Sequence, residues 1–405
     1  MDTSFFHKDK WRATRSTVLI VSLFSSLLLV FTNYMSNNIA FPFFDDIEEF
    51  TWLEYFRRNV HQEEMRNDVC YINIAYDKTL IPYSNNEWGI PEGNIDITDR
   101  RQLVRLLHEL RFSGTYKFVF LDVRFEEGYA DNSLFDSTSG NISVDQELAN
   151  EINKTPRLVY ATHEDITDLS CMPKGKSAIS DYKSTITSTN FVRYEYLHGK
   201  AQSVPLRMYK SLDGRTITKR GFFYFDDGEL CYNCPFSPIV TAFPPKEYDQ
   251  NGNKSFLNLG TDVLDGQLDI ASLVQNKIVV IGDFVDDCHD TYVGVQPGSY
   301  ITMCAYDALH DGKHLVNWKS TIIVAILIFL ISITIFYKGT LYERMPFRKR
   351  VNSRVTRFIL SFVGTSFILH LLVIYLYLIH GQTFQIWFPT IYLTLLKSII
   401  TYKEK

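Results

Sequence analysis

Four long apolar runs lie near the two ends of the chain, and the region between them is polar. The runs are Thr17–Thr32, Thr321–Tyr337, Phe358–Ile379 and Phe384–Ile400. The last three have about the 17 to 22 residues that a helix needs to cross the hydrocarbon core of a bilayer. We therefore predict four transmembrane helices in a lipid bilayer, rather than buried core helices. Their predicted boundaries are 17–35, 318–337, 358–379 and 384–400.

The first apolar run follows a basic stretch, KDKWRATR, which is typical of a signal peptide or a signal anchor. No A-x-A-like cleavage site follows the run, because Phe31–Tyr34 has the sequence FTNY. This favours an uncleaved signal anchor, with a cleaved signal peptide as the alternative.

Basic residues predict the orientation of these helices. Lys338–Arg357 contains seven Lys and Arg residues against one acid, Glu343. By the positive-inside rule, residues 1–16 and the basic loop 338–357 lie in the cytoplasm. Residues 36–317 then form one large domain outside the cytoplasm.

All six cysteines lie in this middle region, which fits an oxidising compartment where disulfides persist. Six cysteines allow 15 pairings, so the sequence assigns no overall connectivity. Cys231 and Cys234 are separated by two residues and are candidates for a local structural disulfide. A redox-active dithiol is the alternative.

The middle region alternates short apolar runs with amphipathic segments. Strands are predicted at Val69–Ala75, Phe118–Leu121, Arg157–Ala161 and Ile278–Ile281, with a further short strand at Val204–Leu206. A Leu-rich helix, opened by Asp99 and ended by Gly114, separates the first two strands. Strand, helix and strand form a βαβ pattern. We therefore predict an α/β domain with a mixed, largely parallel sheet and flanking helices.

Acidic residues follow the predicted strands, at the edge where open α/β sheets usually bind ligands. Asp77 and Asp122 follow the first two strands, so we expect them to be neighbours there. The candidates for ligand or metal binding are Asp122, Glu126, Asp283, Asp287, His289 and Asp290. Carboxylates with an imidazole suit a hard or borderline metal. A solvated structural loop between Asp286 and Gly298 is the alternative, since Asp is an ordinary turn residue.

Four blocks of the middle region occur in a recognisable order. They are Arg101–Glu127, the pair Asp145–Ala149 and Arg157–Ala161, Val204–Leu206, and Asn276–Gly312. With one N-terminal and three C-terminal spans, they resemble the CHASE type-2 sensor domain, an extracellular module of bacterial signalling receptors. The closing block carries a D-x-H-x-T-type loop at Asp287, His289 and Thr291, which adds Thr291 to the candidates. Tyr292 and Thr302-Met303 depart from the Pro and the His-Ala pair that are usual in the family.

The resemblance implies a membrane-anchored sensory module of the bacterial inner membrane, with its large domain on the periplasmic side. Family members usually continue into a kinase, cyclase or phosphodiesterase, whereas this sequence stops at Lys405. We therefore expect it to signal through a separate signalling or envelope protein. A small-molecule ligand is expected, but the sequence does not identify it. The sequence does not say whether a cofactor is bound, and a homodimer is left open.

Catalytic motifs are absent from the sequence: there is no Gly-rich phosphate loop, G-x-S-x-G or H-E-x-x-H. No enzymatic activity is therefore predicted. The basic loop is expected to contact anionic lipid rather than nucleic acid. Two alternatives to a sensor stay open. One is a structural or interaction protein of the cell envelope, and the other is a metal-dependent envelope hydrolase that uses the Asp283–Asp290 loop.

Overall fold

The computed structural model describes residues 14–38, 67–83, 93–135, 142–181, 193–235, 254–266, 268–291, 294–338, 353–380 and 384–403. The chain divides into two compact units. The helical unit combines Met1–Arg57 with Leu315–Lys405, and the α/β unit is Arg58–His314. Most of the predicted segments 1–16 and 338–357, and Tyr292, lie outside the described residues.

A six-stranded sheet forms the centre of the α/β unit. Across the sheet its strands are β14 (Leu257–Asn258), β1 (Val69–Asn73), β15 (Ile278–Gly282), β4 (Phe118–Leu121), β7 (Leu158–Thr162) and β8 (Ser177–Ile179). Every neighbouring pair of these strands is parallel. The α/β class and the parallel sheet are therefore confirmed, and the four long predicted strands are present. The apolar runs are short and continuous because both faces of such a sheet are buried.

Antiparallel pairing occurs in small separate sheets. The pairs are β2 (Lys78–Tyr83) with β3 (Gly93–Thr98), β5 (Leu134–Phe135) with β6 (Ile142–Ser143), β9 (Leu197–His198) with β10 (Ala201–Gln202), and β16 (Cys288–Thr291) with β17 (Gly294–Pro297). A three-stranded sheet contains β11 (Ile217–Arg220), β12 (Phe223–Asp226) and β13 (Glu229–Cys231). The predicted loop Asp286–Gly298 therefore contains the β16–β17 hairpin.

Helices cover both faces of the parallel sheet. They are α2 (Arg100–Ser113), α3 (Val144–Lys154), α4 (Val204–Leu212), α5 (Ile270–Val274) and α6 (Gly298–His310). Side chains alternate along a strand, so Val119 and Leu121 of β4 join a core cluster with α2 and α3. On the same strand Phe118 and Phe120 belong to the opposite face, and they are equally buried. Helices α4 and α6 pack against each other, and α4 contacts β4 and β7.

Helix α2 forms as its sequence predicts. The Asp99 side chain accepts a hydrogen bond of 2.9 Å from the backbone N–H of Arg101. Gly114 ends the helix at a φ of 59°, a backbone conformation that glycine adopts without a steric penalty. The apolar stripe of α2 is fully buried and consists of Leu103, Leu106, Leu107 and Leu110. This helix supplies one side of the core beneath the sheet.

The short strand predicted at Val204–Leu206 is wrong, because this segment begins α4. Ser203 caps the helix: its hydroxyl accepts a hydrogen bond of 3.4 Å from the backbone N–H of Leu206. Pro205 lies in the first turn, where a missing backbone N–H carries no penalty. Three apolar residues are too few for periodicity to distinguish a strand from a helix start.

The order of the strands separates Asp77 from Asp122. Strand β15, which comes late in the sequence, lies between β1 and β4. The Asp77 side chain instead accepts a hydrogen bond of 3.1 Å from the backbone N–H of Gly260. The expectation that the two carboxylates are neighbours is therefore wrong, because sequence pattern places strand ends on one edge but does not give their order.

The helical unit contains α1 (Arg15–Ser36), α7 (Trp318–Lys338), α8 (Arg354–His380) and α9 (Trp387–Lys403). Among the described residues α1, α7 and α8 are long and apolar enough to cross a membrane, and α9 has a shorter apolar stretch. Hydrogen bonds join these helices. The Ser26 hydroxyl donates to the Ala325 carbonyl at 2.6 Å, and the Ser25 and Tyr392 hydroxyls are 2.9 Å apart. Such bonds are expected between helices in an apolar medium.

Candidate functional site

A cavity of about 750 Å³ lies at the carboxyl edge of the parallel sheet. Its size is within the range of small-molecule sites in proteins. Four of the predicted site residues line it: Asp122, Asp283, Asp287 and His289. The structure therefore brings together acids from two strands that are more than 150 residues apart in the sequence.

Asp122 follows β4 and forms one wall of the cavity. Its side chain accepts a hydrogen bond of 2.8 Å from the hydroxyl of Ser299, which is in the first turn of α6. Gly282 makes this contact possible, because a Cβ at that position would lie 2.0 Å from the Ser299 oxygen. Burial, reinforced by the negative charge of Asp287, raises the pKa of Asp122 to about 7. Asp122 can therefore gain or lose a proton near neutral pH.

Asp283 fixes the loop that follows β15. One carboxylate oxygen accepts hydrogen bonds from the backbone N–H groups of Val285 at 3.0 Å and Asp286 at 2.7 Å. The other oxygen is 3.0 Å from the Lys78 ammonium. Burial opposes ionisation, but the Asp286 N–H and the Lys78 ammonium outweigh it and lower the pKa of Asp283. Asp283 therefore stays negatively charged and serves mainly to shape the cavity wall.

Two histidine–aspartate pairs face the cavity. His163 Nδ1 is 2.7 Å from Asp181 Oδ1, and His289 Nε2 is 3.2 Å from Asp287 Oδ1. In each pair the hydrogen bond to the aspartate is the largest influence and raises the pKa of the histidine. Gly298 allows the second pair to pack against the start of α6, since a Cβ there would lie 3.1 Å from both side chains.

Three predicted candidates lie elsewhere. Glu126 forms an ion pair of 2.9 Å with Arg124. Asp290 is exposed and pairs with Val295 in the β16–β17 hairpin, and the Thr291 hydroxyl donates to the Gly294 carbonyl at 2.5 Å. Glu126, Asp290 and Thr291 do not line the cavity. Asp287 and His289 line the cavity, whereas Asp290 is exposed to solvent.

Sequence reasoning missed other residues that line or support the cavity: Lys78, His163, Asp181 and Ser299. His163 is two residues after the predicted strand Arg157–Ala161 and directly follows β7, so its position was a usable signal. Asp181 follows β8, a three-residue strand with no apolar pattern of its own. Ser299 contributes only because α6 begins beside β4 in space.

Within the described parts of the chain, no group of three or more His, Cys, Asp or Glu side chains has the geometry to hold a metal ion. The metal-ligand interpretation of Asp283, Asp287 and His289 therefore gains no support from their arrangement. The cavity instead offers a carboxyl group that titrates near pH 7, two imidazoles held by carboxylates, and the Lys78 ammonium. This combination suits a polar ligand that exchanges hydrogen bonds or protons with the protein.

The disulfide predicted for Cys231 and Cys234 is not present; both side chains are buried thiols. Burial raises the pKa of Cys231, so this thiol is a poor nucleophile. The residues around the motif fix its backbone. The Asn233 side chain accepts from the Leu197 N–H at 2.9 Å, and Arg193 donates to the Cys234 carbonyl at 2.9 Å. The motif is a structural turn whose cysteines fill the core.

Comparisons of the chain with protein-family models, curated proteins and solved structures give no match.

Proposed function

We propose that this protein is a membrane-anchored sensory module of the CHASE type-2 kind. Its α/β unit lies outside the cytoplasm, on the periplasmic side of a bacterial inner membrane. It binds a small polar ligand in the cavity at the carboxyl edge of the sheet. A separate protein receives the signal through the membrane helices.

The observation that carries this proposal is the composition of the cavity. Asp122 and two histidine–aspartate pairs converge on one space of about 750 Å³. Polar groups at the carboxyl ends of parallel strands are the usual ligand-binding feature of open α/β sheets. Groups that titrate near neutrality also cluster at functional sites more often than elsewhere. A purely structural envelope protein has no need for such a cavity.

The proposed orientation rests on charge. The segment Lys338–Arg357, from the end of α7 to the first turn of α8, contains seven basic residues, and the positive-inside rule assigns it to the cytoplasm. With α7 ending in the cytoplasm and α1 ending outside it, the α/β unit between them is extracytoplasmic. Helix α9 then returns the chain to the cytoplasm as a fourth span.

Exposed apolar side chains on α1 leave a surface on which lipid or a partner helix can pack. Helix α1 exposes Leu19, Ile20, Leu23 and Phe24, and each is more than half exposed. Lipid or another apolar helix covers such a surface. In this proposal ligand binding shifts α1 relative to α7, and the partner protein responds to that shift. A ligand drives that movement only if it binds two states of the α/β unit with different affinity.

Ligand binding is tested on the full chain in lipid nanodiscs. The Tm is measured with and without each compound of a panel of polar metabolites and metal ions. A ligand at about 100 times its dissociation constant should add about 2.7 kcal/mol to the free energy of unfolding, which raises the Tm measurably. Asp287→Asn should reduce this shift, because Asp287 lines the cavity and holds His289.

Asp290→Asn is the matched control, since Asp290 is on the same hairpin but outside the cavity. It should leave the ligand-induced shift unchanged. A panel in which no compound raises the Tm, or a shift that Asp287→Asn and Asp290→Asn reduce equally, would contradict ligand binding in this cavity.

A further inference from the structure

The three-stranded sheet β11–β12–β13 ends in a turn with an amphipathic surface. We call residues 219–223 the hairpin tip. At this tip Phe222 is 75% exposed and Phe223 is 39% exposed. Lys219 and Arg220, on the strand that enters the turn, are also exposed. The tip therefore presents apolar surface and positive charge side by side.

Charge is segregated along this small sheet. Its carboxylates are at the opposite end, where Asp226, Asp227 and Glu229 surround the second turn. Arg215 forms ion pairs with these three acids at 3.1 to 3.6 Å. The acids are thus held away from the hairpin tip, which keeps a net positive charge.

The two cations of the tip lie over aromatic rings of the neighbouring strand. The Lys219 ammonium is 5.2 Å from the centre of the Tyr224 ring, and the Arg220 guanidinium is 5.4 Å from the Phe225 ring. These cation–π contacts fix both charges on the sheet, next in sequence to the exposed Phe222 and Phe223. Aromatic and basic side chains in such proximity are the combination by which proteins engage anionic lipid surfaces.

Hydrogen bonds attach the base of this sheet to the last residue of the α/β unit. His314 Nε2 is 2.9 Å from Asp226 Oδ2, and both side chains are fully buried. The Tyr232 N–H also donates to the His314 carbonyl at 2.8 Å. The end of β12 therefore stays close to His314.

The chain runs from His314 directly into an apolar helix. Trp318, where α7 begins, is four residues after His314, a span of at most about 14 Å. Phe222 is four residues before Asp226, or about 13 Å along a strand. Helix α7 is long and apolar enough to cross a membrane.

We propose that the hairpin tip binds the anionic headgroup layer of the membrane that contains α7. Phe222 inserts at the boundary of the acyl chains, and Lys219 and Arg220 contact lipid phosphates. This contact tethers the α/β unit to the bilayer at a second point besides the chain itself. It does not depend on a ligand in the sheet-edge cavity.

The test uses the full chain in proteoliposomes and a tryptophan at the tip. Phe222→Trp is compared with Phe112→Trp, a position of similar exposure, 67%, that also adjoins an arginine, Arg111. Brominated lipids quench tryptophan at the acyl boundary. We expect the emission added at position 222 to be quenched at least twofold more than that added at position 112. Replacing part of the phosphatidylcholine by phosphatidylglycerol should increase the quenching at position 222.

Any of four results would overturn the proposal. Equal quenching at positions 222 and 112 would show that the tip is not at the bilayer. Quenching that is the same with and without phosphatidylglycerol, or unchanged by Lys219→Gln with Arg220→Gln, would remove the role of anionic lipid. Blue-shifted emission at position 222 without lipid quenching would instead assign the tip to a protein contact. Unchanged Tm values of both tryptophan variants serve as the folding control.

Discussion

Asp122 retains its proton to a higher pH in the folded protein than in the unfolded chain. Its folded pKa is about 7, against about 3.9 for an unperturbed aspartate. Between these values the folded state binds more protons, so the free energy of unfolding falls as pH rises. His163 and His289 act in the same direction, because their stabilising contribution is complete below pH 6.5 and is lost as pH rises through their raised pKa values.

Asp122→Asn should remove the part of this pH dependence that Asp122 causes. The side chain keeps its shape and can still accept the Ser299 hydrogen bond, but it no longer ionises. We compare the free energy of unfolding of the variant with that of the unchanged protein at each pH. The difference should grow in favour of the variant by about 1 to 3 kcal/mol from pH 4 to pH 8. Denaturant unfolding at pH 4, 6 and 8 measures this. A constant difference between the two proteins across these pH values would show that Asp122 has an ordinary pKa.

Two glycines give the cavity its shape at the level of single residues. Gly282 leaves room for the Ser299–Asp122 hydrogen bond, and Gly298 leaves room for the Asp287–His289 pair. Any side chain at position 282 would displace Ser299, because its Cβ would lie 2.0 Å from the serine oxygen. From the sequence, Gly282 is expected to end a strand and Gly298 to precede a helix. Their role in the site depends on the side chains that the tertiary fold places beside them.

At the scale of elements, a buried ion pair joins two helices. Arg100 is the first residue of α2, and Asp145 is in the first turn of α3. Their side chains form a hydrogen-bonded ion pair that is almost fully buried. Arg100 also donates to the Tyr129 carbonyl at 2.6 Å, and Asp145 accepts from the Asp131 N–H at 2.7 Å. Because each charge depends on the other, removal of one leaves an uncompensated buried charge.

Asp145→Asn should therefore destabilise the protein by about 3 to 5 kcal/mol, as is usual for a broken buried pair. The partly exposed pair Lys117–Asp68, at 3.0 Å, is the control, and Asp68→Asn should change the stability by about 1 kcal/mol or less. Urea unfolding of the three proteins makes the comparison. Similar effects of Asp145→Asn and Asp68→Asn would mean that the buried pair contributes no more than a surface one.

The elements that the sequence predicts well are those with a long, unambiguous pattern. Strands β1, β4 and β15 are continuous apolar runs, and α2 combines a cap, a leucine stripe and a terminal glycine. The start of α4 and the β16–β17 hairpin were missed because three or four residues carry too little periodicity. The Arg100–Asp145 pair was not predicted, since charged residues are ordinarily at the surface.

The candidate site was predictable only in part, because local sequence patterns do not show contacts between distant segments. Asp122, Asp283, Asp287 and His289 follow two strong strands, and parallel strands end at one edge. Their partners come from segments whose proximity is a property of the tertiary fold. Lys78 and Asp283 are 205 residues apart, and Ser299 and Asp122 are 177 residues apart. No local sequence pattern predicts such distant pairs. The sequence therefore predicts the cavity residues that follow the strands, but not the residues that contact them from other segments.

At the scale of the whole molecule, the number of membrane crossings decides where the C-terminal segment lies. The 17 residues of α9 extend about 26 Å, slightly less than a hydrocarbon core of about 30 Å. Trp387 at the start of the helix can occupy one interface, which compensates for part of the short length. Helix α9 therefore spans the membrane in the proposed topology, and α8 ends outside the cytoplasm.

Reporter fusions separate four crossings from three. Green fluorescent protein becomes fluorescent only if it remains in the cytoplasm, because export in an unfolded state prevents its maturation. Alkaline phosphatase is active only outside the cytoplasm. With four crossings, a fusion after Lys405 should be fluorescent, whereas a fusion after His380, the last residue of α8, should have phosphatase activity. Phosphatase activity at both positions would mean that α9 does not cross. Fluorescence at His380 would reverse the orientation deduced from the basic loop, and would put the sheet-edge cavity on the cytoplasmic side.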